Sequence, residues 1–418
     1  MLSNLQLLRA FASIAVVLYH TGYFFNGIHT EFGGVAIFFC LSGFMMAYVS
    51  RKGAEGFMLN RVIRIAPMYW CATSALVLVL YLRFAIPEIT GAFRSGHHLM
   101  LLAVFGVLIA CGVTLFRSFR RKVCSDELIL QYLWLALPAI LVVSGLLCLI
   151  RWAGSEEVFH LMKSLLFIPY TNSDGGILPV LGVGWTLNIE IILYLLFAIC
   201  LVLTQKWAPL LVIVAIMGAE MVGRLIEIPL FLRPYVGNYT NSFASGIVIF
   251  YIWQYLLRDR PLPKRWVNMA VVLFSLAFFR WHLAPSVLAP ILQKVPLFGH
   301  FIGSVIPECV LLVALIAHEA GVRISARLPL LLGAASYSIY LTHGIVLVII
   351  QAVAARWPIL LPSGSLAAAS VAVLISVAVG VVAYRYVELP MLAAYRGWLR
   401  RKRGTDSVKV ETCAISRY

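Results

Sequence analysis

The residues of this 418-residue chain that could do chemistry stand where a lipid bilayer should exclude them. Arg9 and His20 are eleven residues apart in the first apolar stretch. That is about three helical turns, so both share one face, roughly 16 Å apart along the axis. Glu190 follows Gly182-Val183-Gly184-Trp185-Thr186-Leu187-Asn188-Ile189 at the head of another apolar stretch, and His343 lies about thirteen residues into a third. The rise of a helix puts His343 roughly 20 Å up its own span, at a depth similar to the other two. An imidazole is suited to general-base work near neutral pH, and a carboxylate can fix its tautomer or stabilise its cation. Each residue also has an inert reading. Arg9 can snorkel to an interface, His20 can sit among headgroups, Glu190 can be a hydrogen-bonded structural acid, and His343 can bridge two helices. Convergence of His20, Glu190 and His343 on the outer half favours chemistry.

A second kind of chemistry is written at the opposite side. Arg61 and Arg64, at i and i+3, share a face if the segment before Pro67 is helical. Two planar guanidinium forks suit phosphates, and with Arg51 and Lys52 close by they could hold a polyanion such as the phosphates of coenzyme A; simple topology signalling gives the same cluster. The small residues of Gly33-Gly34-Val35-Ala36-Ile37-Phe38-Phe39-Cys40-Leu41-Ser42-Gly43-Phe44 permit close helix approach, and packing is the favoured reading. Glu220 with Arg224, and Arg385 with Glu388, are expected to neutralise each other, while Arg280 and Glu308 are further charges in apolar surroundings.

The elements that position these residues follow from composition. Hydrophobic residues make up 62% and charged ones 12% of the chain, against a usual charged share of about 25%, too little polar surface for a water-soluble domain. Basic clusters give a net charge of 33 − 17 = +16, but they punctuate apolar runs about twenty residues long instead of decorating a soluble scaffold. That pattern excludes a nucleic-acid binder and indicates bilayer spans. Twelve stretches are expected to cross: 5–25, 33–50, 66–86, 99–116, 128–151, 185–204, 208–226, 239–257, 266–283, 300–320, 330–354 and 365–386. Lipid offers no partner to open strand edges, so the expected fold is all-α, a polytopic helix bundle. Lys and Arg crowd alternate loops, which places both termini in the cytoplasm. The first stretch is too long, and lacks an A-x-A-like site after it, for a cleaved signal peptide. The eight cysteines form no CxxC pair, so neither a zinc site nor any other metal site is expected. A Walker-type phosphate loop is missing, against an ATP-driven machine. The domain reading is one membrane domain over 1–390, with 99–151 as an inserted hairpin, and a basic cytoplasmic tail over 391–418.

Five motifs together resemble the acyltransferase-3 family of bacterial inner-membrane acyltransferases that modify surface or secreted glycans. They are Leu7-Leu8-Arg9-Ala10-Phe11-Ala12 with Val16-Val17-Leu18-Tyr19-His20, similar to the family's Arg-x10-His signature; Gly34-Val35 through Phe44; Arg61-Val62-Ile63-Arg64-Ile65-Ala66-Pro67-Met68-Tyr69-Trp70; Gly184-Trp185-Thr186-Leu187-Asn188-Ile189-Glu190; and Ser336-Tyr337-Ser338-Ile339-Tyr340-Leu341-Thr342-His343. Members commonly have ten spans, so the hairpin 99–151 is the chief departure. The resemblance implies acyl-CoA, acetyl-CoA first and succinyl next, as cytoplasmic donor, a carbohydrate hydroxyl as acceptor, His20 as essential to transfer, and the Arg pair near the donor with Arg9. Membrane lipids are the expected surroundings and nucleic acid is not an expected partner. His20, oriented by Glu190, would act as base; a transient acyl-His20 competes with direct transfer. A transporter or flippase of a lipid-linked sugar, using the same buried charges as a proton relay, stands as the rival.

Overall fold

A computed structural model describes residues 2–25, 33–91, 155–171, 175–260, 262–269, 271–272, 296–356 and 365–402. Among them are helices and loops and no β-strand. In chain order the helices are α1 (Ser3–Phe25), α2 (Gly34–Ser50), α3 (Phe57–Gly91), α4 (Ser155–Leu165), α5 (Trp185–Leu203), α6 (Ala208–Leu225), α7 (Asn238–Ile252), α8 (Pro296–Glu319), α9 (Arg327–Arg356), α10 (Leu366–Ala383) and α11 (Leu389–Lys402). Single π-helical turns extend α7 over Trp253–Leu257 and join α10 to α11 over Tyr384–Glu388. Six of the described helices are long and apolar enough to cross a membrane, with Gly34–Ser50 a shorter apolar one. The expected stretches 99–116 and 128–151 lie outside the described residues, as does most of 266–283.

Local chemistry sets the helix ends. Ser365 caps α10, its Oγ accepting from the Ala368 amide at 3.1 Å, which satisfies one orphan donor of the first turn. Pro209 opens α6, where its missing amide hydrogen costs nothing. Gly33 precedes α2 with φ of 60°, in the left-handed region. α3 begins nine residues before the stretch read from hydropathy and carries Pro67 inside it. Arg61 and Arg64 are therefore on helix, the condition for their sharing a face. Of the residues read as a tail, those up to Lys402 continue as α11, with Met391 and Ala394 buried against the core.

The contacts give running directions. Arg9 meets Ser336 and His20 meets His343, so α1 and α9 are parallel. Tyr337 on α9 donates to the Ile65 carbonyl of α3 at 2.7 Å, at matching distances from the two helix starts. α1, α3 and α9 thus begin at one side of the bundle. α5 runs the other way, since Phe57 stacks on Phe197 while Gly184 abuts Tyr69. α2 and α7 run parallel to each other, through Phe39 with Tyr239 and Tyr48 with Trp253. These directions are those the charge alternation requires.

In lipid there is little hydrophobic force between helices, so close backbone approach must hold them. The α2–α7 contact shows how. A Cβ on Gly43 would lie 1.9 Å from the Phe243 carbonyl oxygen, and one on Gly246 2.0 Å from that of Cys40. Around this seam Phe44, Phe197, Phe243, Ile247, Leu311 and Leu315 are fully buried. Outward faces are apolar as well: Val202, Leu225 and Leu366 are each more than 70% exposed, as lipid-facing side chains should be. Gly43→Ala should force α2 and α7 apart and cost about 1–3 kcal/mol, the usual penalty of overpacking. Gly218→Ala, whose Cβ would meet open space, should change stability by under about 1 kcal/mol. Thermal unfolding of the two variants in detergent makes the comparison, and equal melting curves would contradict the seam.

Candidate functional site

Five helices, α1, α2, α3, α5 and α9, converge on a cavity of about 150 Å³. Arg9 comes from α1, Arg61 and Arg64 from α3, Ser42 from α2, Glu190 and Tyr194 from α5, and Ser336, Tyr337 and Tyr340 from α9. The helical rise places the arginines roughly 6–10 Å from the starts of α1 and α3, which form one tier. Arg9 Nε donates to Ser336 Oγ at 3.2 Å. Arg61 Nε is buried and takes no hydrogen bond. Among the described residues none of the three guanidinium groups is in an ion pair. Arginine cannot shed its proton in a protein, so three like charges sharing a small low-dielectric space are complementary to an anion.

Glu190 does not neutralise that tier by direct contact. Its Oε1 accepts from Ser42 Oγ at 3.0 Å and from a close Tyr194 hydroxyl one turn along α5, and the Ser42 and Tyr194 oxygens lie 2.8 Å apart. Neither partner is marked as such by its residue type, although the i+4 spacing of Tyr194 from Glu190 puts the two on one helix face. Glu388, expected to pair with Arg385, is instead buried and bonded by Ser338 Oγ at 2.5 Å, while Arg385 is exposed. The π-helical turn Tyr384–Glu388 changes the helical phase that an i+3 estimate assumes. The expected Glu220–Arg224 pair is present at 2.7 Å.

The histidines form a second tier. His20 is the eighteenth residue of α1 and His343 the seventeenth of α9, so both stand roughly 25 Å from the helix starts. The structure brings them together, His343 Nε2 lying 3.3 Å from His20 Nδ1. His343 is fully buried, and its Nδ1 is 2.7 Å from the Tyr340 carbonyl; His20 Nδ1 is 2.9 Å from the Val16 carbonyl. A carbonyl oxygen only accepts, so the network assigns both neutral rings as Nδ1–H tautomers. His20 Nδ1–H is then shared between Val16 and His343 Nε2, and His20 Nε2 carries a lone pair. Glu190, expected beside His20, is held by Ser42 and Tyr194 on the cavity wall. Neither histidine lines the cavity; Tyr340 does, with its ring 6.0 Å from that of His343.

Such an arrangement can bind an anion at one tier and supply a base at the other. A protein-family model described as an acyltransferase domain matches residues 2–97 and 100–385. An exopolysaccharide production protein, ExoZ, of Rhizobium meliloti (strain 1021) is 29% identical over 322 residues, 74% of this chain and 95% of that protein. Nodulation protein 10 of Rhizobium leguminosarum bv. viciae is 25% identical over 276 residues, 60% of each chain. No solved structure matches the chain significantly. Inorganic pyrophosphate should raise the thermal midpoint of the detergent-solubilised wild type, and the double change Arg61→Ala with Arg64→Ala should lose most of that rise. An undiminished shift would remove the anion role from these two residues.

Proposed function

From its membership of the acyltransferase-3 family, we propose that this chain transfers a short acyl group, acetyl first, from cytoplasmic acyl-CoA to a hydroxyl of an extracytoplasmic or lipid-linked polysaccharide. The observation that carries this reading is the pairing of two tiers: three guanidinium groups with no ion pair among the described residues at one height of the bundle, and an imidazole lone pair roughly 16 Å further along α1. A transporter of charged substrate would also want the first tier; the oriented lone pair suits acyl transfer. The relative named for exopolysaccharide production supports a polysaccharide acceptor.

The chain's own groups divide the work. Arg61, Arg64 and Arg9 hold the phosphates of coenzyme A, and the acylated arm extends along the cavity toward the histidine tier. His20 Nε2 takes the proton of the acceptor hydroxyl as its oxygen attacks the thioester carbonyl. Collapse of the tetrahedral adduct expels the coenzyme A thiolate, which recovers the proton from the His20 imidazolium. His343 fixes the His20 tautomer and faces its charge as the proton arrives. Glu190, bonded by Ser42 and Tyr194, supplies the negative charge that holds the arginine tier together. This membrane protein is assigned to the bacterial inner membrane, with twelve crossings, both termini in the cytoplasm and 99–151 as a hairpin added to the family's core.

A general base contributes about 10²–10⁴-fold, so His20→Ala should lower acyl transfer by that factor while leaving donor binding intact. Transfer at the native rate would refute the assignment. Arg61→Ala and Arg64→Ala should instead raise the donor KM at least tenfold with a smaller change in kcat; unchanged donor dependence would refute the phosphate role. Release of one equivalent of coenzyme A by the wild type without acceptor would favour an acyl-His20 intermediate over direct attack.

A further inference from the structure

Away from its guanidinium groups the cavity is lined by Phe38, Thr186 and Tyr340. Tyr340 lies thirteen residues into α9, roughly 20 Å along it and well beyond the arginine tier. Its hydroxyl donates to the Val183 carbonyl at 3.0 Å and lies 2.8 Å from Thr186 Oγ1, tying α9 to the head of α5. Phe38 of α2 sets its ring edge-on to Tyr340, 5.9 Å between centroids, and both line the cavity together with Thr186. The Tyr340 ring also lies 6.0 Å from that of His343. The tyrosine ring therefore lines the cavity close to the height of the histidine pair, pinned by two hydrogen bonds and set edge-on to a phenylalanine.

We propose that Phe38 and the latched Tyr340 form a wall that sets the length of the acyl group, admitting acetyl and rejecting longer chains. This rests on acyl-CoA being the donor. With its phosphates on the arginines, a donor lying along the cavity points its acyl end at this wall. Each added methylene must then displace a packed aromatic ring or withdraw the phosphates from their guanidinium partners. Close-packed interiors resist the first, and the low dielectric around the charges penalises the second. Phe38 has no hydrogen bond to lose on truncation and does not touch the histidine pair, which makes it the residue to change.

The test uses purified full-length protein with acetyl-, butyryl- and hexanoyl-CoA, and as acceptor the glycan extracted from a strain deleted for this gene. Thiol release and labelled-acyl incorporation are both read. The wild type is expected to use acetyl-CoA at least tenfold better than hexanoyl-CoA in kcat/KM, and Phe38→Ala to raise the hexanoyl-to-acetyl ratio at least tenfold. Phe38→Val, with a smaller rise, serves if Phe38→Ala does not melt as a folded protein. An unchanged ratio in a folded variant that still transfers acetyl would overturn the wall alone, as would a wild type indifferent to chain length. A wild type that moves no acyl group from any of the three donors would sink the donor reading, and the wall with it.

Discussion

The contact on which the rest depends is the parallel packing of α1 on α9, because one register between two helices sets both tiers of the site. Gly333 makes the approach possible: a Cβ there would lie 2.1 Å from the Gln6 carbonyl oxygen. From that crossing, Arg9 reaches Ser336 and His20 reaches His343, two rungs of one ladder. Successive residues of a helix are turned by about 100°, so a slip of one residue would carry both rungs off the shared face. Helix-to-helix register is thus the quantity that sets the guanidinium and imidazole tiers against each other.

Intramembrane charge explains why the surroundings are so polar locally. Buried ionisable groups are costly in lipid and persist where a partner or a cavity receives them. Arg9, Arg61 and Arg64 share a cavity with Glu190, while Glu388 is buried against Ser338 of α9. Both carboxylates are committed to hydroxyls, Glu190 to Ser42 and Tyr194 and Glu388 to Ser338. Neither forms an ion pair with an arginine among the described residues, and Arg61 Nε is left without a hydrogen-bond partner. A direct Arg–Glu fork would have satisfied the same charges and occupied guanidinium donors.

The scaffold around the site follows from the same solvent. With lipid as apolar as leucine, the seams are built from glycine and serine, and large side chains fill the spaces beside them. α2 is pressed against α7 through Gly43 and Gly246, which leaves its opposite face, with Ser42 and Phe38, turned to the cavity. One short helix thereby serves as packing element and as site wall.

Composition and hydropathy alone determined that this is a polytopic helical membrane protein, because lipid forbids unpaired backbone and leaves few alternatives. Loop charge alternation also gave running directions that the helix contacts reproduce. The candidate residues were legible as well, since a charge or imidazole inside an apolar run is conspicuous: Arg9, His20, Arg61, Arg64, Glu190 and His343 all lie at the cavity or beside it. Their partners were not. Whether Glu190 meets His20, or Ser42 and Tyr194, depends on the rotation of α5 against α1 and α2, and hydropathy does not encode rotation. The π-helical turn that redirects Glu388 from Arg385 to Ser338 has no apolar periodicity to announce it. Tertiary packing decided those pairings, because hydrogen-bond partners in a bundle are fixed by interhelical register and phase, which no single helix carries in its own sequence.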